Sequence, residues 1–253
     1  MEDISVVVPV GPNKVYLDWL PECLASVVLQ NYQGNIDIIL IDDQANISIE
    51  QFKSIIKEVG QLTSILQEDT PEDEANFFSP DYDRYIHMWK TPWNCGVAGA
   101  FNAGIGLADT ELVFMLGSDD KLMHNCLEEC VKTWEAHNQK DGWYNVPIQL
   151  QSGAIVTVNN NAAMVSRSLW KVLGGFPPSA GVAACDALLL SIMMVHMPDR
   201  IIQVESKEPL YWAREHEHQD TRHNMGYYAA SGVVEVIRNM ETLRWKPREG
   251  TLK

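Results

Sequence analysis

The chain has 253 residues, of which 46% are hydrophobic and 21% charged, and its formal net charge is −15 at pH 7. This length and composition predict a soluble globular protein with one large domain, or one domain with an appended subdomain. No apolar run approaches the ~20 residues that cross a bilayer. No basic patch of the kind that nucleic-acid-binding proteins carry stands out against the negative charge. Integral membrane proteins and nucleic-acid-binding proteins are therefore disfavoured.

Targeting and redox signals favour a cytoplasmic location. The first nine residues lack the basic region and the long apolar stretch of a signal peptide. The five cysteines show no metal-knuckle spacing, and an odd number without a targeting signal favours reduced thiols. Cys126 and Cys130 lie four residues apart, so we expect them to share a helix face rather than a disulfide.

The first half of the chain alternates short apolar runs with segments of helical periodicity. Buried strands are predicted over residues 4–10, 36–41, 85–89 and 112–116. Helices are predicted over residues 17–30, 49–66, 97–108 and 124–138. This alternation predicts an α/β fold with a mostly parallel, twisted sheet and right-handed crossovers.

Residues 67–83 interrupt the alternation with a polar and acidic stretch, QEDTPEDEANFFSPDYD. We expect an exposed loop or insertion there, with a lid as the alternative. After residue 141 the alternation ends. Extended structure is predicted over residues 148–158, with a hairpin around Ser152-Gly153. Helices are predicted over residues 168–173, 186–195 and 227–243, and a strand over 201–204.

Two pairs of adjacent aspartates follow predicted strands. Asp42-Asp43 ends the second strand, and Asp119-Asp120 comes just after the fourth. Ligands of open α/β sheets bind at the carboxyl ends of the strands, and paired carboxylates there suit a divalent cation that also holds phosphates. Turn and cap chemistry is the alternative for both pairs. Two acidic pairs at one edge repel each other unless a cation or a ligand donor relieves the repulsion, which favours a site.

A cluster of charged and imidazole side chains, REHEH, occupies residues 214–218. Imidazole can complete a divalent-metal shell, and arginine can neutralise a diphosphate. The spacing matches no zinc-finger or zincin pattern. A polar surface loop is the alternative, and the neighbouring Tyr211 and Trp212 either stack on a sugar or close the core.

Six segments and one residue follow one another along the chain: VVVPV, SVVLQNY, DIILIDDQA, NCGVAGAFNAGIGLA, VFMLGSDD, LGGF and the later Asp186. In this order and spacing the chain resembles glycosyltransferase family 2 over roughly residues 4–225. The resemblance implies a GT-A, Rossmann-like fold with a smaller acceptor-side C-terminal part. It divides the chain into a nucleotide-sugar-binding half (1–120), an acceptor and catalytic half (121–225) and a C-terminal helix and tail (226–253).

The resemblance also implies the site. Asp42 would meet the base of the donor, usually uracil, and a segment from Asn94 would shape the base and diphosphate pocket. The residues implied to bind the nucleotide sugar are Pro9, Val10, Gly11, Asp42, Asp43, Asn94, Gly96, Asn102, Ser118 and Arg214. The residues implied to hold Mn²⁺ or Mg²⁺ are Asp119, Asp120 and His216.

The chain departs from the family pattern in three places, at four residues. Gly117 stands where the first acid of the Asp-x-Asp-type motif is usual, so Asp119 matches the usual metal ligand. Phe101 stands where relatives often carry arginine. Gln44-Ala45 replaces the usual Gly-Ser after the first acidic pair.

Asp186 matches the carboxylate that takes the proton of the acceptor hydroxyl. The expected reaction is sugar transfer from a nucleotide-diphosphate donor, a UDP-sugar, with inversion at the anomeric carbon and Asp186 as general base. The alternative interpretation of Asp186 is a helix N-cap before the apolar run LLLSIMM.

Two other functions are weighed. A sugar nucleotidyltransferase needs a Gly-rich phosphate loop with Arg and Lys, whereas VPVGPNK offers only Gly11 and Lys14. A non-catalytic nucleotide-sugar-binding or scaffold protein fits the departures at Gly117 and Phe101. Glycans, lipid carriers, proteins and modified nucleobases stay open as acceptors, with nucleic acid disfavoured by the charge.

Overall fold

The computed structural model describes residues 2–65, 67–68, 74–79, 82–157, 162–176 and 185–219. The strands are β1 Ile4–Val10, β2 Ile36–Asp42, β3 Gln67–Glu68, β4 Glu74–Ser79, β5 Tyr82–Lys90, β6 Leu112–Met115, β7 Lys121–Leu122, β8 Trp143–Asn145, β9 Ile148–Leu150, β10 Ile155–Val156, β11 Ala163–Ser166, β12 Ile201–Gln203 and β13 Tyr211–Ala213. The helices are α1 Val15–Val28, α2 Ile49–Thr63, α3 Gly96–Leu107, α4 Cys126–Ala136, α5 Arg167–Leu173 and α6 Cys185–His196, followed by a 3-10 turn at Pro198–Arg200. The helix predicted over 227–243 lies outside the described residues.

Nine strands form the main sheet in the order β12-β8-β11-β6-β1-β2-β5-β4-β3. The central four, β6, β1, β2 and β5, run parallel to one another. Their carboxyl ends therefore meet at one edge, which confirms the predicted α/β fold with a parallel centre. In this register Val10 pairs with Asp42, and Leu116 donates its N–H to the carbonyl of Val7 at 3.0 Å. The two acidic pairs thus follow strands on either side of β1.

Both faces of the main sheet are covered. Val6 and Val8 belong to the core layer shared with α1, α2 and α4, whereas Val7 faces the layer shared with α3, α5 and α6. Burial on both faces explains why β1 is a continuous apolar run rather than an alternating one. Among the residues that the structure describes, no helix combines the length and the apolar character needed to span a bilayer.

The expectation of an exposed loop over 67–83 is wrong for the residues described there. β4 pairs with β5 in antiparallel fashion and β3 extends the sheet by one more strand. Ala75 and Phe77 are buried, with exposures of 1% and 0%. The acidic composition of the segment obscured the strand, in which Ala75 and Phe77 lie two residues apart and both enter the core. β5 is also longer than the strand predicted over 85–89.

Phe77→Ala should lower the free energy of unfolding by about 3–5 kcal/mol, because it deletes a fully buried aromatic ring. Denaturant unfolding followed by circular dichroism measures the change. Tyr85→Ala is the matched control, since Tyr85 is an aromatic residue on the adjacent strand that is 39% exposed. Equal losses for the two variants would contradict the placement of β4 in the core.

A second, four-stranded sheet has the order β10-β9-β13-β7. The hairpin predicted around Ser152-Gly153 is confirmed, because β9 and β10 pair antiparallel across it and Gly153 adopts φ +91°. β13 pairs with β7, which begins one residue after Asp120. This sheet therefore brings the 211–213 strand beside the second acidic pair.

Candidate functional site

The second acidic pair lies in a tight turn at the carboxyl edge of the main sheet. Asp120 donates its N–H to the carbonyl of Gly117 at 3.1 Å, which closes the turn directly after β6. Asp120 is buried and Ser118 is buried beside it, whereas Asp119 is partly exposed. The turn therefore presents one of the two carboxylates outward.

β13 and the residues that follow it pack against this turn. Tyr211 donates its hydroxyl to Asp120 Oδ2 at 2.6 Å, and the Arg214 backbone N–H donates to Asp120 Oδ1 at 2.8 Å. Arg214 Nε donates to the carbonyl oxygen of Asp119 at 2.9 Å. His216 Nε2 lies 2.9 Å from Asp119 Oδ2. Four residues predicted for the site (Asp119, Asp120, Arg214 and His216) are thus brought into direct contact.

The two carboxylates of the pair have different environments. Burial, and then the charge of Asp119, raise the pKa of Asp120 well above its ordinary value. Both oxygens of Asp120 accept hydrogen bonds from the protein, so its carboxylate anchors the 211–214 segment. Asp119 is the member of the pair that faces outward beside an imidazole.

The donors present fit a divalent cation that also takes phosphate oxygens. Within the described ranges no group of three or more His, Cys, Asp or Glu side chains is arranged to hold a metal. Asp119 and His216 nevertheless offer a carboxylate oxygen and an imidazole nitrogen side by side. Mg²⁺ and similar hard cations need only one or two protein ligands when substrate phosphates and water complete the shell. Asp119 and His216 would hold such an ion, and Asp120 would support them.

Gly117 lies where a side chain would crowd the two carboxylates of the turn. A Cβ atom there would lie 2.9 Å from Asp119 Oδ1 and 3.1 Å from Asp120 Oδ2. The two carboxylates therefore occupy the space into which a side chain at 117 would project. The departure from the Asp-x-Asp pattern has a steric reason in this chain.

The first acidic pair binds backbone groups of the loops that follow β2 and β5. Asp42 accepts the backbone N–H groups of Asn46 and Ile47 at 2.9 and 2.8 Å, and its Oδ2 lies 3.6 Å from Lys90 Nζ. Asp43 Oδ1 accepts the Thr91 hydroxyl and the Cys95 N–H, both at 2.7 Å. These bonds are the turn and cap contacts of the alternative interpretation. Contact of Asp42 or Asp43 with a base stays a prediction.

The end of β1 adjoins this first pair. The Asp43 N–H donates to the carbonyl of Val10 at 2.9 Å. Pro9 is partly exposed, and a Cβ atom on Gly11 would meet nothing within 4 Å. Open space therefore adjoins Gly11, whereas Val10 is buried. Contact of residues 9–11 with a nucleotide stays a prediction.

Two asparagine side chains, one before α3 and one within it, form hydrogen bonds with backbone groups. Asn94 Oδ1 accepts the N–H of Gly96, which adopts φ +66°, at 2.9 Å. Asn102 binds the backbone of Phe176 twice, through its Oδ1 at 2.8 Å and its Nδ2 at 3.0 Å. Asn102 therefore holds the Gly175-Phe176 segment against α3, with Phe101 packed edge-to-face on Phe176. Neither finding tests the donor contact implied for Asn94, Gly96 or Asn102.

Asp186 is the second residue of α6, so it lies in the first helical turn rather than before the helix. Its side chain is partly exposed. Cys185 and Leu189 of the same helix pack in the core layer that contains Met115 of β6. α6 is thus joined to the strand that leads to Asp119. Residues 177–184, which precede α6, lie outside the described residues.

Sequence reasoning missed the contribution of α1 to this site. Glu22 Oε2 accepts hydrogen bonds from Arg214 Nη2 at 2.9 Å and from Lys121 Nζ at 3.4 Å. Partial burial raises the pKa of Glu22, but the charges and hydrogen bonds of Lys121 and Arg214 outweigh burial and lower that pKa. The ring of Trp19 lies 4.4 Å from that of His216, centroid to centroid. No local pattern predicts these contacts, since they join residues between 99 and 197 positions apart.

Tyr211→Phe should lower the free energy of unfolding by about 1–3 kcal/mol at neutral pH, because it removes a donor from a buried carboxylate. The pKa of Asp120 is raised in the fold, so stability falls as pH rises from the unfolded pKa of about 3.9 through the folded one. The lost bond favours the charged form, so the loss should be larger at high pH than near pH ~4.

Urea unfolding in EDTA across this pH range measures the loss. Tyr144→Phe is the control, since its hydroxyl is also buried but donates to the Lys140 carbonyl at 2.6 Å. Its loss should be about 1 kcal/mol and should not vary with pH below neutrality. Matching pH profiles for the two variants would contradict the Tyr211–Asp120 assignment.

Solved structures share this fold. S. aureus TarS 1-349 in complex with UDP-GlcNAc is 16% identical, with a TM-score of 0.61 over 86% of this chain and 60% of that chain. The mannosyltransferase PcManGT from Pyrobaculum calidifontis, in complex with GDP-Man and Mn²⁺, is 16% identical, with a TM-score of 0.57 over 99% of this chain and 65% of that chain. At such identities the likeness shows a common fold, and it confirms the expected GT-A fold.

Sequence comparison gives the family. A Haemophilus influenzae protein described as an uncharacterized glycosyltransferase is 31% identical over 127 residues, which cover 50% of this chain and 40% of that protein. The chain thus spans well under two thirds of the relatives it matches. The family model described as Glycosyl transferase family 2 matches residues 5–152, which is more than half of the chain. The chain therefore belongs to glycosyl transferase family 2.

Proposed function

We propose that this protein is a glycosyltransferase that moves a sugar from a nucleotide-diphosphate donor, a UDP-sugar, to a hydroxyl acceptor. The observation that carries the proposal is the Asp119–His216 contact of 2.9 Å at the carboxyl edge of the sheet, with Arg214 fixed beside it. Structural neighbours in complex with UDP-GlcNAc, or with GDP-Man and Mn²⁺, support a nucleotide-sugar donor. Family membership supports the reaction class.

The donor would lie along the carboxyl edge. Its nucleotide would contact residues 9–11, where space is free beside Gly11, and the region of Asp42 and Asp43. Its diphosphate would lie toward Asp119. Phe101 packs on Phe176, so a cation for the diphosphate would come from another residue. Arg214 would supply it, since its Nε donates to the Asp119 carbonyl at 2.9 Å.

A divalent cation held by Asp119 and His216 would offset the charge that develops on the leaving diphosphate. The acceptor hydroxyl would lose its proton to the Asp186 carboxylate as its oxygen bonds to the anomeric carbon. The bond from that carbon to the phosphate oxygen breaks, and the nucleoside diphosphate leaves with the electron pair. A single displacement of this kind inverts the anomeric configuration. A cytoplasmic location, where the thiols stay reduced, completes the proposal.

A thermal-shift panel of UDP-, GDP- and dTDP-sugars, each with Mn²⁺ and with EDTA, tests the proposal. A ligand bound at 100 times its Kd stabilises the folded state by about 2.7 kcal/mol, which raises the melting temperature by several degrees. We expect a UDP-sugar to give the largest shift, with Mn²⁺ required. Hydrolysis of the same donor, followed by release of the nucleoside diphosphate, then separates an enzyme from a binding protein. Absence of any shift across the panel would overturn the proposal.

A further inference from the structure

Helix α1 presents two aromatic side chains to the segment that carries Arg214 and His216. Tyr16 and Trp19 are three residues apart and therefore lie on the same side of the helix. Their rings meet edge-to-face with centroids 6.1 Å apart. The Tyr16 hydroxyl donates to the carbonyl of His218 at 3.1 Å, so this side of α1 is docked on the 214–219 segment.

Trp19 contacts both functional side chains of that segment. Its ring centroid lies 4.4 Å from that of His216, at an interplanar angle of 51°. The Arg214 guanidinium carbon lies 5.1 Å from the ring of Trp19 and 5.0 Å from the ring of Trp212. The guanidinium is therefore in cation–π range of both indoles, a geometry that restricts its position.

The imidazole of His216 is held in an unusual way. A histidine that ligates a metal ordinarily has its second ring nitrogen fixed by a hydrogen bond. His216 Nδ1 is buried, and within the described part of the chain it has no hydrogen-bond partner. Nε2 faces Asp119, and the imidazole face is in contact with Trp19. Ring packing thus stands where a hydrogen bond would otherwise orient the imidazole.

Trp19 is also not needed by the described core. It belongs to neither of the two core layers found among the described residues, and it is only partly buried. Among the described residues, its ring contacts Tyr16, Arg214 and His216. A large aromatic residue at this place therefore serves the segment beside Asp119 rather than the packing of α1.

We propose that Trp19 is a positioning residue that fixes the His216 imidazole and the Arg214 guanidinium beside Asp119, and so sets the affinity for a nucleoside diphosphate with its cation. The inference rests on the proposed function and adds a residue of α1 to it. Trp19 acts through its two neighbours and does not itself touch the donor.

Isothermal titration of UDP, with GDP in parallel, in Mn²⁺ and in EDTA tests the inference on the full chain. Trp19→Leu removes the aromatic face, and Trp19→Phe keeps a smaller one. We expect the Kd of UDP in Mn²⁺ to rise about tenfold for Trp19→Leu and about threefold or less for Trp19→Phe. Tyr85→Leu, which changes an aromatic residue that is 39% exposed on β5 and pairs with Asp37 far from the carboxyl edge, should leave the Kd unchanged.

Two further measurements separate positioning from a general loss of packing. With a donor that turns over, Trp19→Leu should raise the donor KM while kcat at saturation stays within about twofold. In a His216→Asn background, Trp19→Leu should add less than its tenfold effect, because only the Arg214 contact is left for it to remove. Additive effects in this cycle would overturn the inference.

The outcomes for binding are distinct. If the wild type binds UDP or GDP and Trp19→Leu binds equally well, the positioning inference fails and the proposed function stands. If the wild type binds neither nucleotide in the presence of Mn²⁺, both fail together. If Trp19→Leu is poorly folded, the same titration is made with Trp19→Phe and Trp19→Gln. A loss of UDP affinity that is larger for Trp19→Gln than for Trp19→Phe supports the inference, and no loss for either variant overturns it.

Discussion

Asp186→Asn should lower kcat by about 10²- to 10⁴-fold while the affinity for the donor stays near that of the wild type. The amide has almost the same shape as the carboxylate but cannot accept the proton of the acceptor hydroxyl. Asp186 lies in the first turn of α6 and is partly exposed, so the substitution should leave the core intact. Steady-state rates with a turned-over donor, together with donor titration, measure the two quantities separately.

The matched control for this variant is Asp199→Asn. Asp199 is also an aspartate near a helical turn, but its side chain is 67% exposed and pairs with Lys140. It should retain the wild-type kcat. A kcat for Asp186→Asn within a few-fold of the wild type would remove Asp186 from the role of general base.

Asp119→Asn should weaken donor binding in Mn²⁺ by about 100-fold or more. Changes to residues that merely support a metal ligand cost 10- to 100-fold, so loss of a direct ligand should cost at least as much. The replacement amide also loses the charge that faces His216 at 2.9 Å. Titration of the donor in Mn²⁺ and in EDTA should show that the wild type and the variant differ in Mn²⁺ and converge in EDTA.

Asp120→Asn is the matched comparison, because it changes the neighbouring aspartate, which faces inward. The two residues are adjacent, yet Asp120 directs both oxygens to Tyr211 and Arg214. An asparagine there keeps an oxygen for the Arg214 N–H, so donor binding should fall about tenfold or less, again by the measure for supporting residues. If Asp120→Asn were as damaging to Mn²⁺-dependent binding as Asp119→Asn, the distinction between an outward ligand and an inward anchor would be wrong.

The sequence predicted the central sheet well because its strands are buried on both faces. The bounds predicted for the first strand, 4–10, agree with β1, and the hairpin at Ser152-Gly153 is where turn chemistry placed it. β7, β8, β11 and β13 were missed, since such short runs carry little periodicity and these four are less apolar than the predicted β6, LVFM. β4 was missed because acidic neighbours masked the alternation that buries Ala75 and Phe77.

The sequence predicted which residues form the candidate site, but not which of them face outward and which support the others. The placement of Asp119-Asp120 after a strand, and the REHEH cluster, identified residues that the structure joins. Which aspartate faces outward depends on the Tyr211 hydroxyl, a contact between positions 91 residues apart. The roles of Trp19 and Glu22 depend on how α1 docks on the 214–219 segment, and no local pattern encodes that docking.

The region matched by the family, residues 5–152, is not a self-sufficient unit in this chain. β11, at Ala163–Ser166, lies between β6 and β8 and pairs antiparallel with both. A fragment that stops at residue 152 would leave one side of β6 without a hydrogen-bonding neighbour, next to the most apolar part of the sheet. Unprotected strands of this kind recruit other chains. Shortened versions of this protein should therefore keep at least the residues through β12 if they are to remain monodisperse.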